Sequence, residues 1–320
     1  MSSNNNIKQP TAENLQTAAS ALKSSELVSF PTETVYGLGA NALDDSAVAQ
    51  IFEAKGRPSF NPLIVHLPDQ EQAEEYVRFD DTANLLANHF WPGPLTLVLP
   101  RKPDCKISRL VSAGLETLAI RVPANKLARD LLKLCALPIA APSANPSGQI
   151  SPTNAQHVAA GLGDKVSIIL DGGPCNIGVE STVVSVDGGV VTLLRPGGVT
   201  REQLESVVGN VSGAKADSAI TSPGMLLSHY APSCPVRLNA TTHKDSEDYL
   251  GFGPGTEAFE TKNLSPTSNL KEATANLFAF FHDLDRQGAA AIAVAPIPRT
   301  GLGVAINDRL QRAAAPRNNK

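Results

Sequence analysis

Between Glu26 and about Arg195, short apolar runs recur along the chain: LVSF at 27–30, LIVHL at 63–67, LTLVL at 95–99, LAIRV at 118–122, PIAAP at 138–142, SIIL at 167–170, STVVSV at 181–186 and VVTLL at 190–194. Runs of this length, rich in β-branched residues, predict strands, and helical patterns lie between them. Val48, Ile51 and Phe52 follow Asp44 and Asp45 at helical spacing, and the two aspartates suit a cap or a first turn. The alternation predicts a layered α/β domain over residues 1–210. Around 208–235 the pattern breaks into GNVSGAKADSAITSPG, with too few periodic apolar residues for a core, which predicts a linker over 211–235. Past it, YLGFG at 249–253 and AIAVAPI at 291–297 predict strands. Leu270, Ala273, Leu277, Phe281 and Leu284 mark a helix, and residues 303–315 end helically. Residues 236–320 are read as a second, smaller α/β domain.

At 320 residues the chain exceeds the usual size of one core. No apolar run approaches the roughly 18–20 residues of a membrane span, and the opening Met1–Gln9 is polar, so a cytoplasmic protein that avoids membranes is expected. Cys105, Cys135, Cys175 and Cys234 form no CxxC pair, which points to buried or idle thiols and to no protein-held metal. Residues 1–210 carry 16 Lys+Arg against 21 Asp+Glu and the remainder 11 against 10, giving −5 and +1. Neither part has the basic balance of a non-specific nucleic-acid binder.

Three segments carry candidate chemistry. PTETVYGLG at 31–39 leaves a predicted strand for a glycine-containing loop ahead of a helix, where α/β proteins place ligand sites; a tight turn that needs glycine explains it equally well. KGRPSFNPL from Lys55 sets two cations and Asn61 beside prolines, an arrangement suited to a polyphosphate or, read locally, to capping a helix C-terminus beside a solvated loop. APSANPSG from Ala141, with Ser151 following, offers hydroxyls and an amide to phosphate or ribose oxygens, or simple turn chemistry. Arg121, inside an apolar strand, requires an anion, a carbonyl or water, so a substrate carboxylate and an internal salt bridge both remain open; Arg195 in LLRPGG is similar. The chain has no GxxxxGK[ST] loop, strand-linked GxGxxG, HExxH or GxSxG elbow.

In this order PTETVYGLG, KGRPSFNPL, WPGPLTLVL, LAIRVP, APSANPSG, GVESTVV and LLRPGG resemble the YrdC-type domain of threonylcarbamoyl-AMP synthases. SPG at 222–224, HYAP at 229–232 and the closing GLGVAINDRLQRAA look like the linker and C-terminal domain of the family's long, two-domain form, although Met225–Ser228 stand where the family has basic or aromatic residues. The resemblance implies a twisted mixed sheet with helices enclosing a large cavity, plus a smaller Rossmann-like α/β domain.

It further implies a nucleotidyltransferase that forms threonylcarbamoyl-AMP from L-threonine, bicarbonate and ATP with Mg2+, for a downstream transferase that completes N6-threonylcarbamoyladenosine in tRNA. Thr34, His66, Arg121, Ala141 and Ser181 would hold threonine. Lys55, Arg57, Asn61, Thr117, Ser143, Asn145, Ser151, Arg195 and Tyr230 would hold ATP, with Lys55 and Arg57 on the triphosphate as the catalytic pair. Thr182 or Val183 would wall the threonine methyl. Two rivals are a double-stranded RNA-binding module, for which the −5 charge is unsuited, and a carbamoyltransferase of the hydrogenase-maturation type, whose zinc-finger cysteines are missing here.

Overall fold

The computed structural model describes residues 6–58, 61–214 and 229–316. Ser59, Phe60, SPG at 222–224 and Met225–Ser228 therefore lie outside the described residues.

Eleven strands form one mixed sheet: β1 (Ile7–Lys8), β2 (Val28–Pro31), β3 (Tyr36–Asn41), β4 (Ile64–His66), β5 (Leu95–Pro100), β6 (Thr117–Arg121), β7 (Ile139–Ala140), β8 (Ile168–Leu170), β9 (Thr182–Asp187), β10 (Val190–Arg195) and β11 (Val211–Gly213). Their order is β1-β8-β2-β3-β7-β4-β6-β5-β9-β10-β11. Every apolar run marked above between 27 and 194 contributes a strand. Among the described residues seven α-helices accompany them: α1 (Ala12–Lys23), α2 (Asp45–Lys55), α3 (Gln70–Glu74), α4 (Asp81–Phe90), α5 (Lys126–Cys135), α6 (Ala155–Leu162) and α7 (Arg201–Val208). Asp44 caps α2 by accepting from the amides of Ser46 and Ala47, which satisfies two donors that the first helical turn leaves free. Leu15, Ala18 and Leu22 of α1 and Leu131, Leu132 and Cys135 of α5 bury their apolar faces together with Val28 and Leu170, at roughly 1.5–3 kcal/mol for each large side chain removed from water.

Two local expectations need correction. Residues 36–41 are not part of a loop: they form β3, antiparallel to β2 with Phe30 opposite Gly37. Gly39 lowers strand propensity in a reading of the chain, yet its bareness is a packing requirement. A Cβ there would sit 2.8 Å from the Phe30 ring and 3.0 Å from an Ile139 methyl. The expected linker start at 211 falls on β11, whose parallel pairing with β10 is non-local and leaves only Val211 as an apolar mark.

The second domain holds a four-stranded parallel sheet, β12 (Val236–Arg237), β13 (Glu247–Gly251), β14 (Lys262–Asn263) and β15 (Ala291–Val294), in the order β12-β15-β13-β14. Helices α8 (Leu270–Gln287) and α9 (Leu302–Ala314) accompany it. Its core does not stop at the domain boundary: Leu277, Phe278 and Phe281 cluster with Val35, Ile150 and Val179 of the first domain, and Tyr230 joins the same cluster. Gly178 permits this approach, because a Cβ on it would lie 2.4 Å from the Thr274 carbonyl oxygen of α8. Among the described residues no helix is long and apolar enough to cross a membrane.

Candidate active site

The hairpin turn at Thr32–Val35, the ends of β4, β6 and β10, the loops at 141–143 and 180–181, and His229 and Tyr230 surround one cavity. Parallel register between β4 and β6 places His66 beside Arg121. Thr34, His66, Arg121, Ala141 and Ser181 all line this cavity. So do Arg57, Ser143, Arg195 and Tyr230.

At one end, Arg121 is held on three sides. Its Nη2 meets Glu33 Oε1 at 2.5 Å, Nη1 donates to Thr34 Oγ1 at 3.0 Å, and Nε donates to the Gly93 carbonyl at 3.2 Å. The other Glu33 oxygen accepts from the amides of Ala124 and Asn125 at 3.0 and 3.3 Å. Arg121 thus has an internal partner and also borders the cavity. Burial, then the Arg121 charge, drive His66 down to about 3, so its imidazole is neutral at pH 7. Its Nδ1 has no partner among the described residues. Ser181 Oγ and Thr96 Oγ1 lie 2.8 Å apart.

At the other end the cations are buried. Lys55, the last residue of α2, is 4% exposed, and its Nζ donates to the carbonyls of Ser143, at 2.6 Å, and Asn145. Burial, and then the nearby Arg57 charge, push its ammonium well below the ordinary lysine value. Arg57 donates to the carbonyls of Asn61 and Pro62 at 3.3 and 3.0 Å, and burial lowers it to about 10. Arg195 Nη2 meets the Ser181 carbonyl at 2.9 Å and Ser181 Oγ at 3.2 Å. These are not the solvated residues of a capped helix end; they are buried cations whose charged forms burial disfavours. The carboxylate on this wall is Glu180. Burial raises it, but Arg309, Arg195 and the Ser151 hydroxyl together bring it below its usual range.

Other expected residues sit differently. Lys55, Asn61, Asn145 and Ser151 are buried just outside the lining. Both amide atoms of Asn61 lack partners among the described residues, Asn145 borders a second cleft with His157 and His282, and Ser151 Oγ donates to Glu180 at 2.5 Å. Thr117 does not border the cavity: it opens β6, four residues and about 13 Å along the strand from Arg121. Thr182 and Val183, expected to wall the threonine methyl, do not border the cavity. The Thr182 hydroxyl is bonded to the Val199 backbone, Val183 packs with Ile64, Val98 and Ala119, and the apolar residues that do border the cavity include Val35 and Ile64. Sequence reasoning gave no role to Glu33, Glu180 or His229 inside motifs it singled out, nor to Arg309. The partners of Glu33 and Glu180 lie 88 and 129 residues away, beyond any local spacing.

A model of the Sua5/YciO/YrdC family, described as telomere recombination, matches residues 20–197, and one described as threonylcarbamoyl-AMP synthase, C-terminal domain, matches 199–315. The chain belongs to the Sua5/YciO/YrdC family. Similar members of the Sua5 family are the threonylcarbamoyl-AMP synthases of Bacillus subtilis, 43% identical over 94% of this chain and 92% of that one, and of Pyrococcus abyssi, 41% identical over 97% and 96%. The crystal structure of P. abyssi Sua5 complexed with L-threonine superposes with a TM-score of 0.88 at 39% identity, covering 96% of this chain and 97% of that one. The twisted mixed sheet with a smaller second domain, expected above, is the Sua5 architecture.

Proposed function

We propose that the protein is an enzyme that makes threonylcarbamoyl-AMP and pyrophosphate from L-threonine, bicarbonate and ATP, for a downstream transferase that completes N6-threonylcarbamoyladenosine in tRNA. The observation that carries this reading is one buried cavity with two chemically distinct ends. Hydroxyls and a guanidinium, from Thr34, Ser181 and Arg121, face a neutral His66 at the first; Arg57 and Arg195, with Lys55 behind, make the second cationic.

Threonine enters the first end. Its carboxylate takes the in-plane N–H groups of Arg121 that Glu33, Thr34 and Gly93 leave free, and because those three already hold the guanidinium, little ordering remains at binding. The amine adds to the bicarbonate carbon, and water leaves to give the carbamate. A carbamate oxygen then attacks the α-phosphorus, and the bond to pyrophosphate breaks. No protein nucleophile is needed: Lys55, Arg57 and Arg195 offset charge on the phosphates and the leaving group, and the walls align the reactants. The polyanion favours their charged forms and so offsets the cost of burying them. Magnesium bound to the triphosphate would supply further offset of its charge beside Lys55, Arg57 and Arg195. Tyr230 shuts the nucleotide end, which protects the carbamate from water.

The inward aim of these cations does not suit the RNA-binding alternative, which needs them on an exposed face. Pyrophosphate release should require threonine, bicarbonate and magnesium, and should vanish in the Lys55→Ala, Arg57→Ala double variant. Release independent of threonine, or undiminished in the double variant, would refute the reading.

A further inference from the structure

Helix α9 of the C-terminal domain sends Arg309 into the interior, where it is 0% exposed. Its Nε donates to Glu180 Oε2 at 2.7 Å, its Nη1 meets Asp308 Oδ2 at 2.6 Å, and the guanidinium carbon stands 5.2 Å from the centre of the Tyr230 ring. Glu180 and Tyr230 border the cavity, and Arg309 lies behind both. The second Glu180 oxygen accepts from Ser151. Tyr230 occupies the left-handed region, φ 64°, which an aromatic residue adopts only when its surroundings impose it. Those surroundings come largely from the C-terminal domain. Phe278 of α8 stacks on the ring with centroids 5.5 Å apart, Arg309 lies over it, and the amide of the preceding His229 donates to the Arg312 carbonyl. The first domain adds the Gly148 carbonyl, which accepts from Ala231.

We propose that Arg309 is a positioning residue of the nucleotide site: through Glu180 and the Tyr230 ring it makes ATP binding in the first domain depend on the docked C-terminal domain. The threonine end draws its contacts from Glu33, Thr34, Arg121 and Ser181, none of which bonds Arg309, although Ser181 follows Glu180 in the chain and holds Arg195. This inference rests on the reading of the cavity as an ATP site.

The test is titration calorimetry of the full chain with ATP and, separately, with threonine, neither of which requires turnover. Arg309→Met should weaken ATP by about tenfold or more and leave threonine within about twofold, and Arg309→Lys, which keeps the charge but not the fork, should recover part of the loss. In a Tyr230→Ala background the Met substitution should cost less than it does in the wild type, because the ring it places is gone and only the route through Glu180 remains. Unchanged ATP affinity, equal losses for both ligands, or full additivity with Tyr230→Ala would each overturn the proposal. If Arg309→Met does not fold, Arg309→Lys decides, since retained threonine affinity shows the fold intact and an undiminished ATP affinity sinks the idea. Wild-type protein that binds no ATP would fail the functional reading instead.

Discussion

Replacing Glu33 by Gln tests whether the threonine end is held open by its own ion pair. Both carboxylate oxygens accept, one from Arg121 at 2.5 Å and the other from the amides of Ala124 and Asn125. A glutamine has one oxygen and one NH2 group, so either flip of the amide points donors at donors. One orientation abandons the guanidinium, and the other abandons the two backbone amides ahead of α5. Arg121 is 3% exposed and would keep its charge. A lost charge-assisted hydrogen bond at roughly 1.5–3 kcal/mol, with a buried donor left unsatisfied at roughly 1–3, gives about 2.5–6 kcal/mol in total. Urea unfolding at neutral pH should show that loss, and threonine should bind at least about tenfold more weakly, because Arg121 is no longer held in plane. A variant within about 1 kcal/mol of wild type, with unchanged threonine affinity, would show that Glu33 neither stabilises nor orients Arg121.

The remaining predictions concern packing and protons. Gly39→Ala should cost about 1–3 kcal/mol and lower activity with it, since the new methyl meets Phe30 and Ile139 inside a strand with no room to shift; a neutral result in urea unfolding would refute the packing argument. His66 and His157 are both depressed to about 3 in the folded protein against an ordinary value of 6.5. Between those values the unfolded chain binds more protons, so stability is complete above about pH 7 and falls as pH drops toward 3, by up to about 1.4 kcal/mol per unit for the buried His66 and less for half-buried His157. A urea midpoint that stays flat between about pH 7 and 5 would contradict this sign.

What the chain displays of its fold depends on how local the cause is. Runs such as LTLVL and LAIRV show as strands because each is buried on both faces, and Asp44 marks its helix because capping acts within three residues. β3 is hidden because the demand for Gly39 comes from Phe30 and Ile139, the latter 100 residues away in the chain. The site divides in the same way. Motif resemblance found nine of the residues on the cavity wall, including all five assigned to threonine. It left out Glu33, Glu180 and Arg309, residues whose work is to hold other side chains across 88 and 129 positions of sequence. Thr117 shows the converse, a residue assigned to ATP by resemblance that opens β6 opposite Pro100, at the end of the strand away from Arg121.

Gly178 sets the clearance between the two domains. With φ at 76° and the α8 backbone against its α-carbon, it leaves a bearing surface made of main chain on main chain, with no side chain to compress. Any larger residue would act there as a wedge, two positions before Glu180, and the opening would fall on the 2.7 Å bond to Arg309. The tolerance to which the nucleotide end is assembled is thus set by the absence of a single methyl group.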